Sequence, residues 1–230
     1  DEPFLQFTKE TLDNKKQPFL ATVFTITSHE PYVIPKKYDN RFNQGIIPMH
    51  KCVLYTDFSI RKFFDESKNS DWFKNTIFLF TADHSNKSYY PYYQKTINRF
   101  ANPIMIYIPN SEFKGEVNSL ASHMDIYPTI VDLIGYKKPF RSWGKSLVTR
   151  DNLNSIVVNY LGGGSYFIMN DSLISVHNGK KAIGFYDIQD KNFKNNLIHK
   201  RNKKMNDLER KGSIFLQDYF NRIIKGEMNY

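Results

Sequence analysis

Three kinds of hydrophobic pattern run along the chain. Phe19–Thr27 (FLATVFTIT), Asn75–Ala82 (NTIFLFTA) and Pro103–Ile108 (PIMIYI) are near-continuous apolar, β-branched runs. Such runs suit strands buried on both faces of a sheet rather than strands with one wet face. Pro48–Lys68 and Met124–Ile134 carry the mixed spacing of helices; Pro48 opens the first, and Ser122 and Gly135 bracket the second. The internal Pro128 fits if it lies in the first turn, where its missing N–H is harmless. After Gly162-Gly163-Gly164 the pattern shortens to alternating runs at Tyr166–Asn170, Ser172–His177 and Lys181–Ile188, broken by Asn170-Asp171 and Asn178-Gly179. Asn-Gly between alternating runs predicts a hairpin. Asn206–Ile224 reads as an amphipathic closing helix.

Buried strands interleaved with helices predict an α/β fold with a largely parallel sheet flanked by helices, followed by an antiparallel hairpin region and the closing helix. The expected organisation is residues 1–150 as the α/β portion and 151–230 as a hairpin-and-helix tail packed on it. The 230 residues suffice for a core without disulfides or a structural metal, and 19 Phe with 15 Tyr exclude a disordered chain. No apolar run is long enough to span a bilayer. Cys52 is the one cysteine, which excludes an internal disulfide and a thiolate metal cluster. The formal charge of +9 favours anionic partners such as phosphate or sulfate esters, acidic lipid or nucleic acid. Part of that excess lies in Lys191–Lys211, the kind of charge run that usually forms a solvated face.

Ligands of open α/β sheets bind beyond the carboxyl ends of the strands. The first strand exits into Thr27-Ser28-His29-Glu30-Pro31-Tyr32 and the second into Thr81-Ala82-Asp83-His84-Ser85; Ala121-Ser122-His123-Met124-Asp125 precedes the second helix. A carboxylate and an imidazole side by side at a strand end, Asp83 and His84, can share a divalent cation. Nitrogen and oxygen donors favour Zn²⁺ or Mn²⁺ over Mg²⁺ or Ca²⁺. His29 and His123 can be surface residues, ligands of a second cation or, when charged, holders of phosphoryl or sulfuryl oxygens. Ser122 reads as an N-cap, and Asp125 as a carboxylate favouring the helix dipole. His50, His177 and His199 read as structural or solvated. Tyr89-Tyr90-Pro91-Tyr92-Tyr93 could line a substrate groove, but nothing in its spacing identifies a sugar platform, so packing against its own loop is the simpler expectation.

Those segments, with Tyr55-Thr56-Asp57-Phe58-Ser59-Ile60 and Phe80-Thr81-Ala82-Asp83-His84, resemble in order and spacing the sulfatase-like branch of the alkaline phosphatase superfamily. The similarity is greatest to its lipoteichoic acid synthase, phosphoglycerol transferase and phosphoethanolamine transferase group of membrane-anchored enzymes, and it covers residues 1 to 150. The resemblance implies that Asp83 and His84 bind a catalytic divalent metal, and that His29 contacts the transferred group. It implies that His123 does likewise or helps a second metal. Lipoteichoic acid synthases often lack that last histidine, which leans the comparison toward the other transferases and sulfatase-like hydrolases. It further implies a covalent intermediate, an ester substrate linked to lipid or glycan, and an extracytoplasmic site anchored to the membrane by upstream segments. In the family the nucleophile and an acidic ligand precede the Ser-His-x-Pro segment by well over a hundred residues, and nothing in the 28 residues before His29 resembles either. The expectation is therefore the C-terminal half of a catalytic domain, inactive alone. Two alternatives stand beside it: a non-catalytic module that binds anionic glycan or lipid on the same fold, and nucleic-acid binding, which charge alone suggests and no motif supports.

Overall fold

The computed structural model describes residues 1–43, 45–85, 88–148 and 156–228. The chain forms two compact units, 1–115 and 116–230. The division expected at 150–151 lies outside the described residues.

The first unit begins with helix α1 (Glu2–Asp13), which sequence patterning had not suggested, followed by α2 (Met49–Ser67) and strands β1 (Phe78–Thr81) and β2 (Ile104–Tyr107). Leu5, Thr8 and Leu12 of α1 are buried at one-turn spacing, and Pro3 stands in the first turn, where its ring costs nothing. Leu5 and Leu12 join Phe63, Trp72 and Phe73 in one core cluster, with Phe19, Ile60, Phe64 and Phe78 packed against it. A second cluster unites Ile34, Cys52 and Tyr55 with Tyr32, Tyr38, Phe42 and Phe58. The Arg41 guanidinium lies 4.0 Å from the Phe58 ring centre. Helix α2 matches the sequence pattern to within a residue at each end.

The buried Glu2 carboxylate ties these elements together. It accepts hydrogen bonds from Tyr38 Oη at 2.7 Å and Lys62 Nζ at 2.8 Å, with Lys37 Nζ at 3.2 Å. Burial alone would raise its pKa, but the bonds from Lys62, Tyr38 and Lys37 outweigh it and hold the group at about 2. The Glu2 N–H donates to the buried Tyr55 hydroxyl, so α1 is fixed on α2 through backbone and side chain alike.

Strand β1 pairs with β2 in antiparallel register, Phe78 opposite Tyr107 and Thr81 opposite Ile104. The α/β class is borne out, but both sheets among the described residues are antiparallel, against the largely parallel sheet expected. Among the described residues between β1 and β2 the element found is a short 3₁₀ turn, Asn98–Phe100, and not the helical crossover that a parallel pair requires. Phe19–Thr27, expected as a buried strand, joins no ladder among the described residues. Leu20 is 86% exposed, Phe24 65% and Ile26 68%.

The second unit holds α3 (Ile126–Leu133), the antiparallel meander β3 (Val157–Gly162), β4 (Ser165–Met169), β5 (Leu173–His177) and β6 (Ala182–Asp187), and α4 (Lys203–Lys225). The observed β4, β5 and β6 follow the three alternating runs closely. Strand β3 is not marked by the sequence pattern; it runs into the Gly162–Gly164 turn that leads to β4, where all three glycines have positive φ. Asn202 caps α4 by accepting from Met205 N, and Gly226 ends it in the left-handed conformation. Ile168, Leu173, Ala182, Phe185, Met205 and Leu208 form the core between α4 and the sheet. Gly212 brings α4 close enough to β4 that a Cβ there would stand 2.7 Å from the Ile168 side chain.

His177, on β5, is fully buried: its Nδ1 accepts from Gly179 N at 3.1 Å and its Nε2 lies 3.1 Å from Ser213 Oγ on α4. The acceptor role of Nδ1 places the proton on Nε2, which donates to the serine. It is a structural histidine, as expected. Burial pushes its pKa below the usual 6.5, against the nearby Glu209 charge.

Two pH-linked outcomes follow from these buried groups. Glu2 binds fewer protons folded than unfolded, so its stabilisation is full above about pH 4.5 and is lost as pH falls toward 2. Glu2→Gln should cost about 1–3 kcal/mol at neutral pH in urea unfolding, a range discounted because Lys37 and Lys62 are partly exposed and screened. A His177 imidazole kept neutral likewise favours folding above its ordinary pKa. Tm should therefore fall as pH drops below about 6.5, and His177→Gln should lower Tm at neutral pH while flattening that slope.

Candidate active site

The residues that precede each candidate group determine how it is presented. At the end of the extended segment, the Asp1 carboxylate accepts from the backbone N–H groups of Ile26 and Thr27, each at 3.2 Å, and from Thr56 Oγ1 of α2 at 2.6 Å. The turn it steadies runs through His29, whose N–H donates to Ile26 O and whose carbonyl accepts from Tyr32 N. The His29 ring is exposed, and its Nδ1 lies 2.9 Å from the Glu30 carbonyl oxygen. A carbonyl only accepts, so Nδ1 carries the proton and Nε2 is left with a lone pair directed elsewhere. Sequence reading missed the part played by Asp1, because a contact spanning 26 residues leaves no local pattern.

His84 is presented the same way. Strand β1 stops at Thr81, and Asp83-His84 follow directly beyond its carboxyl end. His84 Nδ1 lies 2.9 Å from Ser85 O and so donates to it, while the His84 N–H donates to Asp83 Oδ1 at 2.8 Å. His84 Nε2 and Asp83 Oδ2 are 3.4 Å apart, on side chains 69% and 54% exposed. An imidazole whose Nδ1–H is held by a carbonyl, with Nε2 beside a carboxylate oxygen, is a donor pair suited to a borderline divalent cation. It supplies two protein ligands. Among the described residues no group of three or more His, Cys, Asp or Glu side chains could hold a metal ion. A zinc site needs three or four protein ligands, so the donors fit such a cation in kind and form part of a full set.

His123 belongs to the second unit, and its ring is exposed at the start of a 3₁₀ turn, His123–Asp125, that leads into α3. Ser122 and Asp125 form a capping box: the Ser122 hydroxyl accepts from Met124 N, and Asp125 Oδ2 accepts from Ser122 N at 2.7 Å. Asp125 is buried, and its Oδ1 also accepts from Lys145 N at 2.8 Å. Thr129, on the next turn, accepts from Leu147 N. Gly144 lies so close that a Cβ would stand 2.0 Å from Met124 O. The segment that presents His123 is thus clamped by residues 144–147, which gives Asp125 more to do than favour a helix dipole. Pro128 is the third residue of α3, in its first turn as required. The structure brings Asp83 and His84 into contact and holds His29 in the same unit.

Comparison with known proteins follows the same segments. The sulfatase family model, described as "Sulfatase", matches residues 1–136. Lipoteichoic acid synthase 1 of Bacillus subtilis is 25% identical over 176 residues, covering 68% of this chain and 27% of that protein. A sulfatase of Formosa agariphila is 28% identical over 101 residues, 42% of this chain and 20% of its own length. Among solved structures, an alkaline phosphatase superfamily protein of Vibrio parahaemolyticus superposes with a TM-score of 0.76 at 20% identity, covering 96% of this chain and 54% of that one. A lipoteichoic acid synthase of Listeria monocytogenes does so with a TM-score of 0.61 at 20% identity, covering 94% and 57%. The chain thus spans about half the length of these solved relatives and about a quarter of the curated ones.

Asp125→Ala removes the acceptor for two backbone N–H groups in a buried setting. It should destabilise the protein by about 2–3 kcal/mol in urea unfolding and speed amide exchange at Ser122 and Lys145.

Proposed function

The chain belongs to the sulfatase family, and on that premise we propose that it is the metal-binding half of a catalytic domain that transfers or hydrolyses a phosphate or sulfate ester. The proposed substrate is an envelope glycolipid or polymer, and the proposed reaction is of the phosphoglycerol or phosphoethanolamine transferase type. It proceeds through a covalent intermediate whose nucleophile lies outside these residues, on the extracytoplasmic side of a membrane reached through other segments. Among the described residues no helix is long and apolar enough to cross a membrane.

One observation carries the reading: the Asp83–His84 pair just beyond β1, with His84 Nδ1 committed to a carbonyl and Nε2 left beside a carboxylate oxygen. Those two side chains would hold a divalent cation, Mn²⁺ or Zn²⁺ on donor type, which when bound supplies Lewis acidity for an anionic ester oxygen. The chain's own groups supply the rest. His29 Nε2, the free nitrogen of its tautomer, accepts a proton when neutral and donates to an ester oxygen when charged. His123, on its clamped turn, is proposed to do the same for another oxygen of the transferred group. The positive charge of the chain draws the anion toward these donors.

Exposed apolar surface supports the half-domain part. Leu20, Phe24 and Ile26 are exposed on a segment that joins no ladder among the described residues, though burying each would yield about 1.5–3 kcal/mol. A shallow groove of about 360 Å³ elsewhere in the same unit is lined by Ile60, Phe64, Phe80 and Tyr107, with Asp57 and Arg61. Both are surfaces that further strands of a larger sheet would cover, and the solved relatives have about as much chain again.

With Mn²⁺ or Zn²⁺ added, the 230-residue chain should hydrolyse p-nitrophenyl phosphate and sulfate no faster than background. In the full-length enzyme, His84→Ala should lower kcat/KM at least about 100-fold, since even outer partners of metal ligands cost 10–100-fold. Turnover by the short chain that His84→Ala abolishes would place the nucleophile within these residues and overturn the half-domain reading. Unchanged turnover in the full-length His84→Ala enzyme would overturn the metal assignment.

A further inference from the structure

We propose that the tyrosine loop rising from Asp83-His84 is a sugar-stacking platform, which receives the glycosyl part of the ester substrate through Tyr89, Tyr90, Tyr92 and Tyr93. This rests on the functional reading above for its substrate, and on the geometry of the loop for its site.

Packing was the simpler expectation for these rings, and the structure departs from it. Tyr89 is 43% exposed, Tyr90 56%, Tyr92 56% and Tyr93 41%. The rings form two nearly perpendicular pairs, Tyr89 with Tyr90 at 5.3 Å and 81°, and Tyr92 with Tyr93 at 5.0 Å and 86°. His50, near the start of α2, backs the first pair: its ring lies 6.5 Å from Tyr90, nearly parallel, and 6.2 Å from Tyr89, edge-on. The His50 ring is itself held, because its Nδ1 accepts from Ile46 N.

The backbone beneath the rings is pinned. Gln94 Nε2 donates to the carbonyls of Ser88 and Tyr89, and Asn98, which is buried, donates to the Tyr92 carbonyl at 3.0 Å. The Tyr93 N–H closes a turn on Tyr90 O. Ile97 is buried beside Asn98, and the Ser85 hydroxyl donates to the Arg99 carbonyl, which joins the two ends of the loop next to His84. A loop collapsed for its own stability would turn its rings inward and leave its backbone wet. This one anchors its backbone from below and leaves four large rings half in water, a pre-organised surface of low entropic cost to a ligand.

The chemistry of the patch identifies the ligand class. From Tyr89 to Tyr93 no side chain is charged, and Lys95 stands 5.9 Å from the Tyr92 ring centre, so the stretch that carries the four rings is built for a largely neutral partner, with Lys87 and Arg99 only toward the loop's ends. An acyl chain would use the ring faces alone and make no use of the phenolic hydroxyls. A nucleic acid would call for cations along its track. A sugar ring offers apolar C–H faces for the rings and hydroxyl edges for the phenols, which is what an amphipathic tyrosine surface can satisfy. The charged ester linked to that sugar would then lie at the loop's neck, where Asp83 and His84 stand.

Saturation-transfer NMR with maltose and cellobiose tests this without any need for turnover. The protein should transfer saturation to sugar C–H protons. Tyr90→Ala and Tyr92→Ala should each raise the Kd at least about tenfold. Tyr90→Leu, which keeps the apolar area and loses the flat ring, should weaken binding as much, and near-ultraviolet circular dichroism should show all three folded. Absence of transfer to both sugars, transfer unchanged in the alanine variants, or a tyrosine-dependent signal with an oligothymidylate or a decyl-chain detergent instead would each overturn the proposal. Failure of the esterase assays would leave these outcomes untouched, so the two readings fail separately.

Discussion

A polypeptide segment that is apolar and extended needs partners twice over, for its side chains and for its backbone N–H and C=O groups, and that double demand organises the first unit. Phe19–Thr27 meets it at the two ends. Phe19 packs with Trp72, ring centres 6.3 Å apart, into the cluster that α1 and α2 share. At the other end, the Asp1 carboxylate takes the N–H groups of Ile26 and Thr27. Between them the side chains face water. Buried backbone polar groups in folded proteins are nearly all paired; here the apolar side chains between the two ends stay in water, so the ends carry the ordering of the run. The fixed end carries His29, and the placement of that imidazole depends on a carboxylate anchored on α2 by Thr56.

How much of this was legible in the sequence varies with the range of the interaction that decides each element. Helix α2, α4 and the hairpins of β4, β5 and β6 are decided within a few residues, by periodicity, the Asn202 and Gly226 caps and Asn178-Gly179, and their limits follow the pattern closely. Helix α1 was hidden because its one-face stripe is short and interrupted by polar residues; Glu2 and Thr8, both buried, are not residues a hydrophobic template counts. The pairing direction of β1 and β2 is a property of how the chain returns between them, and apolar runs look alike in parallel and antiparallel sheets. The same limit applies at the site. Asp83-His84 and the strand that ends before them were readable, whereas the carbonyl that sets each histidine's tautomer and the Asp1 contact that steadies His29 are consequences of folding.

The two presented histidines of the first unit share a device worth weighing against simple solvent exposure. An unrestrained imidazole in water samples both tautomers and several rotamers, and a ligand must select one of each. In His29 and His84 the neighbouring carbonyl has done so already, each through its Nδ1 and each to a residue one step along the chain. His177 shows the opposite solution: Nδ1 accepts, Nε2 donates to Ser213, and no nitrogen is left over for chemistry. Burial and saturated hydrogen bonding distinguish the structural histidine from the presented ones more surely than sequence position does.

Charge and aromaticity are divided along the loop between β1 and β2 in a way that bears on how one substrate could be read by one unit. The neck holds the carboxylate and imidazole suited to a cation and its anionic ester; the crest holds four phenols and little charge. A ligand with an anionic linkage at one end and an amphipathic, largely neutral ring at the other would satisfy both in a single orientation, and reversing it would place charge on the tyrosines and desolvate hydroxyls beside Asp83 and His84. On the proposed reading, stacking at the crest would contribute mainly to holding the substrate, and the neck to the step in which charge moves. Interactions uniform between ground and transition state lower KM, and those that strengthen as the ester bond breaks raise kcat, so the two ends of one loop would govern different kinetic constants.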